Sequence, residues 1–260
     1  MTTRHTESSR KPLIAANWKM YKTPTQAKEF ITAFLPLVQG HTRDEIVLCP
    51  PFVDLATVVE ATHKSHVHVG AQNMHWQEEG AFTGEISAGM LAAAGCTHVI
   101  VGHSERRQFF GETDESVNQK LHAALHAKLT PIFCVGELLA EREADKTEDV
   151  LVRQTARGLV DISPELARHI VIAYEPVWAI GTGKTATPEM AGAAHLIIRS
   201  QVARSLGREI AVRMRILYGG SVKPENATTL LNQPEIDGAL VGGASLDPQS
   251  FAKIVQYASF

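Results

Sequence analysis

The chain of 260 residues is 44% hydrophobic and carries a formal net charge of −3, from 25 Lys and Arg against 28 Asp and Glu. Its basic residues are scattered rather than clustered, which gives no electrostatic case for nucleic acid, and its longest apolar runs fall far short of the roughly 18 residues of a membrane helix. Small solutes fit better as partners, and a chain of this length can bury a sizeable core.

Residues 1–11 are polar and read as a disordered N-terminal tail, while Leu13 to Ala16 is too short for the apolar centre of a signal peptide. From Leu13 onward eight short runs rich in Val, Ile, Leu and Ala recur: Leu13 to Asn17, Glu45 to Cys49, Val67 to Ala71, His98 to Val101, Thr130 to Val135, Ile170 to Tyr174, Arg215 to Tyr218 and Gly238 to Val241. None alternates cleanly between polar and apolar, as expected of parallel strands covered on both faces. Between them lie segments of helical period, such as Phe30, Ile31, Phe34, Leu35 and Val38, or Val117, Leu121, Ala124, Leu125 and Lys128. Pro24, Pro164, Pro188, Pro224 and Pro248 stand where helices would start, and Gly40, Gly95, Gly158 and Gly207 where they would end. Eight strand–helix units without a dividing linker predict an α/β fold, a closed parallel (β/α)8 barrel in a single domain over residues 12–260. An open doubly wound sheet is the competing architecture, but no G-x-G-x-x-G follows Asn17.

The three cysteines, Cys49, Cys96 and Cys134, are odd in number and lack C-x-x-C spacing, which suits buried thiols in a reduced, cytoplasmic compartment. His63, His66 and His68 lie close in sequence but lead into a strand, and no H-E-x-x-H occurs, so no functional metal is expected.

In a barrel all strand ends meet on one face, so polar residues there are read together. The first run ends at Asn17-Trp18-Lys19-Met20; such a lysine is commonly a solvated charge, but over a barrel mouth it can hold an anion. The fourth ends at Gly102-His103-Ser104-Glu105-Arg106, where Arg106 breaks the G-x-S-x-G pattern and makes Ser104 a poor nucleophile. His103 opens a helical turn whose dipole would keep its ring neutral, still able to polarise a carbonyl. The sixth ends on Glu175, an isolated carboxylate at the edge of low dielectric and a candidate general base. A lid-like segment follows: Val177, Trp178, Ala179 and Ile180 as apolar cover, then Gly181, Thr182 and Gly183. Gly181 to Thr185 resembles the end of a nucleotide-binding P-loop, but the pattern needs a glycine where Trp178 stands. Glycine pairs before Ser221 and at Gly242 and Gly243, after the last two strands, suit a phosphate site built of backbone N–H groups. The loop from Gln72 to Ile86 exceeds the usual length, which suggests function or an interface.

Taken together, Asn17 to Met20, Ala71-Gln72-Asn73, Val101 to Arg107, Ala173 to Lys184, Tyr218 to Val222 and Val241 to Leu246 resemble the triosephosphate isomerase family, over residues 12–258. The resemblance implies a TIM barrel that interconverts dihydroxyacetone phosphate and D-glyceraldehyde 3-phosphate through an enediolate, without a cofactor. It implies Glu175 as base, His103 as electrophile and proton shuttle, Lys19 and Asn17 as stabilisers of charge, and Glu105 as a nearby carboxylate paired with Lys19. Phosphate would lie against Gly181, Ser221, Gly242 and Gly243 under a lid at 177–183. It further implies a homodimer in which Thr83 reaches the neighbour's active site. Other phosphate-binding barrels, such as sugar-phosphate epimerases, and a catalytically silent scaffold are the competing readings.

Overall fold

The computed structural model describes residues 10–180 and 185–258. Eight strands, β1 (Leu13–Asn17), β2 (Glu45–Cys49), β3 (Val67–Ala71), β4 (His98–Val101), β5 (Thr130–Val135), β6 (Val171–Tyr174), β7 (Arg215–Tyr218) and β8 (Gly238–Val241), pair in chain order and close as β8 returns to β1. Every pairing is parallel.

The unbroken apolar strands now have their reason. Alternate residues serve two cores: Leu13, Ala15, Val47, Cys49, Ile132, Cys134, Val171, Ala173 and Leu217 fill the barrel interior, whereas Ile14, Ile46, Leu48, Phe133, Ile172 and Ile216 pack outward against the helices. With a side-chain period of two, both sets must be apolar. The inward row also places the chemistry. Two residues beyond Ala15 comes Asn17, and two beyond Ala173 comes Glu175, so both point into the C-terminal mouth.

Pro24, Pro164, Pro188, Pro224 and Pro248 each take the first position of a helix, where the missing N–H has no partner to lose. Some boundaries differ from the sequence reading, and Val38 caps the helix Pro24–Leu37 rather than continuing it. Ile170 is not in β6, because its N–H bonds Ala167 O at 3.0 Å in the preceding turn. Lys128 lies beyond the helix Asp114–His126 with φ +61°.

Of the expected tail, residues 1–9 lie outside the described residues, but Arg10 is tied down. Its Nε bonds Asp237 Oδ1 at 2.6 Å, and its other nitrogens reach Val212 O and Pro234 O. Asp237 also accepts from Arg199 and from Ile216 N, so a carboxylate at the start of β8 draws the incoming chain onto the barrel. All three cysteines are free and buried; burial pushes the thiols up, Cys96 to about 11 and Cys49 and Cys134 further, which leaves them inert at neutral pH. Among the described residues no helix is long and apolar enough to cross a membrane.

Candidate active site

The C-terminal mouth opens into a cavity of about 860 Å³ lined by Asn17, Lys19, His103, Glu105 and Glu175 together with Ser221, Gly242 and Gly243. Sequence-predicted residues from β1, β4, β6, β7 and β8 thus share one space. Gly181, Thr182 and Gly183 fall outside the described residues. Thr83 does not join this cavity; it lies exposed in the long loop after β3.

Glu175 is 2% exposed. Its Oε2 accepts the Ser104 N–H at 2.9 Å, and its Oε1 faces His103 Nε2 at 3.0 Å and Ser104 Oγ at 3.4 Å. Burial alone would raise the Glu175 pKa, but His103, the Ser104 N–H and Lys19 together hold it below the usual carboxylate value. Ser104, discarded as a nucleophile, is therefore a donor to the candidate base.

His103 caps the helix Ser104–Phe109, and its Nδ1 accepts the Glu105 N–H at 3.2 Å. An accepting Nδ1 carries no proton, so the ring's N–H is at Nε2 and aims into the site. The expectation that the helix start keeps the ring neutral needs amendment for this resting arrangement. Burial lowers the His103 pKa, yet the Glu175 carboxylate outweighs it and the net direction is upward. The local device that the sequence suggested is present; a partner 72 residues later opposes it.

Lys19 Nζ meets Glu105 Oε1 at 2.6 Å, the pairing expected from sequence. Its backbone is left-handed, φ +53°, and its N–H donates to Asn17 Oδ1 at 3.0 Å. Asn17 is almost fully buried.

The segment after Glu175 is a short 3₁₀ turn, Val177–Ala179, in which Trp178 and Ala179 are buried while Ile180 lines the cavity. The Trp178 Nε1–H donates to Glu137 Oε1 at 2.9 Å, and the Arg142 guanidinium lies 4.6 Å from the Trp178 ring centre. Glu137 is fully buried and also accepts from Tyr174 OH at 3.0 Å and Arg142 at 3.2 Å. Sequence reasoning passed it over, although Val135-Gly136-Glu137 carries the same signal as Glu175, a carboxylate just past an apolar strand.

Among the described residues no cluster of three or more His, Cys, Asp or Glu is placed to hold a metal ion. The arrangement instead sets a desolvated carboxylate, an imidazole N–H and an ammonium around one small volume that Ser221, Gly242 and Gly243 also line. Such a set can move a proton at a carbon beside a carbonyl and stabilise the oxyanion that results.

The family model for triosephosphate isomerase matches residues 12–258. Over 248 residues the chain is 58% identical to the triosephosphate isomerases of Solibacter usitatus (strain Ellin6076) and Geobacter metallireducens (strain ATCC 53774 / DSM 7210 / GS-15); each alignment covers 95% of this chain, and 100% and 99% of those proteins. The crystal structure of the triosephosphate isomerase from Bartonella henselae superposes with a TM-score of 0.86 at 40% identity, covering 94% of this chain and 97% of that one.

Proposed function

The chain belongs to the triosephosphate isomerase family, and from that premise we propose how its residues interconvert dihydroxyacetone phosphate and D-glyceraldehyde 3-phosphate, the isomerase step of glycolysis and gluconeogenesis. The observation that carries the proposal is the Glu175–His103 pair, 3.0 Å apart at the mouth with Lys19 beside it.

Phosphate lies on the backbone N–H groups around Ser221, Gly242, Gly243 and Gly181, which places the carbonyl end toward His103 and Lys19. Glu175 leaves Ser104 and His103 to reach the carbon-bound proton. That movement removes the donors that depress its pKa while burial remains, so the carboxylate becomes a stronger base where it is needed. His103, freed of the carboxylate, presents its Nε2–H to the developing oxyanion with Nδ1 still held by the Glu105 N–H. The Lys19 ammonium and the Asn17 side chain stabilise the enediolate charge as fixed groups that need little reorganisation. Residues 177–183 close over the intermediate and keep water from it.

A homodimer completes the reading. The loop carrying Thr83 is built on its own contacts: the His75 ring stacks on Trp76 with centres 4.1 Å apart and lies tilted against Phe82 at 4.4 Å, and His75 N donates to Ile86 O. Its tip leaves Phe82 and Thr83 exposed. Beside Lys19 and His103 lies a second cavity of about 240 Å³ bordered by the apolar Met20, Phe52 and Phe110, of a size to receive such a tip from a second copy. The buried free thiols suit a reducing, cytoplasmic setting.

The test is isomerisation of D-glyceraldehyde 3-phosphate by metal-free protein, with Glu175→Gln beside the wild type. Turnover by the wild type and loss in the variant are expected; no turnover, or equal turnover in both, refutes the assignment.

A further inference from the structure

Gln72 stands in one of the motifs that mark the family resemblance, yet the roles proposed above leave it without a task. It follows β3 directly, and its side chain reaches back across two neighbouring strand ends. The single amide nitrogen Nε2 donates to Lys19 O at 2.8 Å and to Cys49 O at 2.9 Å, using both protons of the NH2 group.

We infer that Gln72 is a positioning residue that holds Lys19 in its working conformation, an inference that rests on the role proposed for Lys19. A lysine at φ +53° occupies the left-handed region, where the Cβ crowds the following carbonyl and glycine is the residue at ease. Glycine cannot serve here because the site needs the ammonium. The strained backbone must then be imposed by its surroundings.

Three bonds impose it. The Lys19 N–H goes to Asn17 Oδ1 at 3.0 Å, and the Trp18 N–H to Cys49 O at 3.1 Å; both come from the loop that has to be held. Gln72, from the end of β3, grips the Lys19 carbonyl on the far side of the strained φ and braces itself on Cys49 O. With Trp18 and Gln72 both donating, the Cys49 carbonyl is saturated. The ends of β1, β2 and β3 are thereby joined through one amide.

Without that amide, Lys19 relaxes toward the common negative φ. A rotation of this kind at the base of a long side chain moves Nζ by several times the roughly 1 Å of misplacement that costs on the order of 100-fold in rate. The loss is then one of placement, with the ammonium still present but no longer opposite Glu105.

Gln72→Met keeps side-chain length and removes both donors. In the full-length protein, kcat/KM for D-glyceraldehyde 3-phosphate is expected to fall roughly 10- to 100-fold. On a Lys19→Met background the same substitution should change kcat/KM by less than about 2-fold, because no ammonium remains to be misplaced. A crystal structure of Gln72→Met should find Lys19 out of the left-handed region, and this readout stands alone where the Lys19→Met rate is below detection. Gln72→Asn, one methylene shorter, replaces Gln72→Met if the latter does not fold. Unchanged kcat/KM, equal losses on both backgrounds, a loss reversed by raising protein concentration, or a variant crystal with Lys19 still left-handed beside Glu105 each overturns the inference. Failure of the wild type to isomerise the substrate would instead overturn the reading beneath it.

Discussion

Glu175 rests where a carboxylate is comfortable and, as the proposed base, works where it is not, so small changes around it should register as rate rather than as unfolding. The backbone around it leaves no room for side chains. A Cβ on Gly136 would lie 1.7 Å from Glu175 O, and one on Gly219 would lie 2.9 Å from Glu175 Cγ and 3.1 Å from Tyr174 O. Gly219→Ala is therefore expected to push the Glu175 side chain off its path and lower kcat by roughly 10- to 100-fold, while thermal denaturation shifts by only a few degrees. A normal kcat in a folded Gly219→Ala protein would mean that Glu175 does not move past that position. Glu175→Asp keeps the charge but withdraws it by about 1 Å, for an expected loss on the order of 100-fold, measurable in the same assay. Glu175 stood out in the sequence because it is a carboxylate just beyond an apolar strand. The partners of Ser104 and Gln72 did not show there, since a backbone N–H on Glu175 and amide bonds to two other strand ends are contacts that no local pattern encodes.

At the scale of elements, the strand ends were readable and the structures between them less so. The proline signals located five helix starts because that preference is local. Gly158, read as a helix end, is the last residue of the helix Thr147–Gly158, but the need for glycine there is tertiary, since a Cβ would lie 2.3 Å from Phe133 Cζ, a reason that spacing does not reveal. The segment after Glu175 reads as a lid in the sequence, where the anchor of its first turn leaves no sign. Glu137 holds Trp178, Tyr174 and Arg142 together, and nothing in residues 176–183 points to β5. If the lid moves as proposed, the Trp178–Glu137 bond belongs to the state described here and is strained or lost on closure. Trp178→Phe removes that bond, a charged-acceptor hydrogen bond of about 1.5–3 kcal/mol, and should shift the balance toward closure. The expected outcome is tighter binding of a phosphate-bearing competitive inhibitor, by up to roughly tenfold, together with slower product release; unchanged inhibition constants and kcat would show that the bond is kept throughout the cycle.

The whole molecule keeps the candidate site and a second charged cluster at opposite ends of the barrel axis. The C-terminal mouth gathers the proposed reacting groups, while the N-terminal mouth holds a charged cluster at the floor of the interior. There Glu45, at the start of β2, pairs with Arg215 from β7 and faces His98 Nε2 from β4 at 3.1 Å. Burial would raise the Glu45 pKa, but His98 and Arg215 hold it far below the usual carboxylate value. The folded state thus binds this proton less readily than the unfolded chain does. The stabilisation is whole above the unfolded-state pKa of about 4.3 and drains away as the pH falls below it. Glu45→Gln should accordingly cost on the order of 2 kcal/mol near neutral pH, because Arg215 is left at the barrel floor without its counter-charge. The difference between variant and wild type should shrink steadily in urea titrations below about pH 4. Isomerase kcat and KM should not change, since the cluster lies at the opposite end of the strands from Glu175. A variant with equal stability at neutral pH, or with a stability gap that does not narrow in acid, would show that the cluster is neutral in energy. A fall in kcat would show that the two ends of the barrel are coupled through its packed interior.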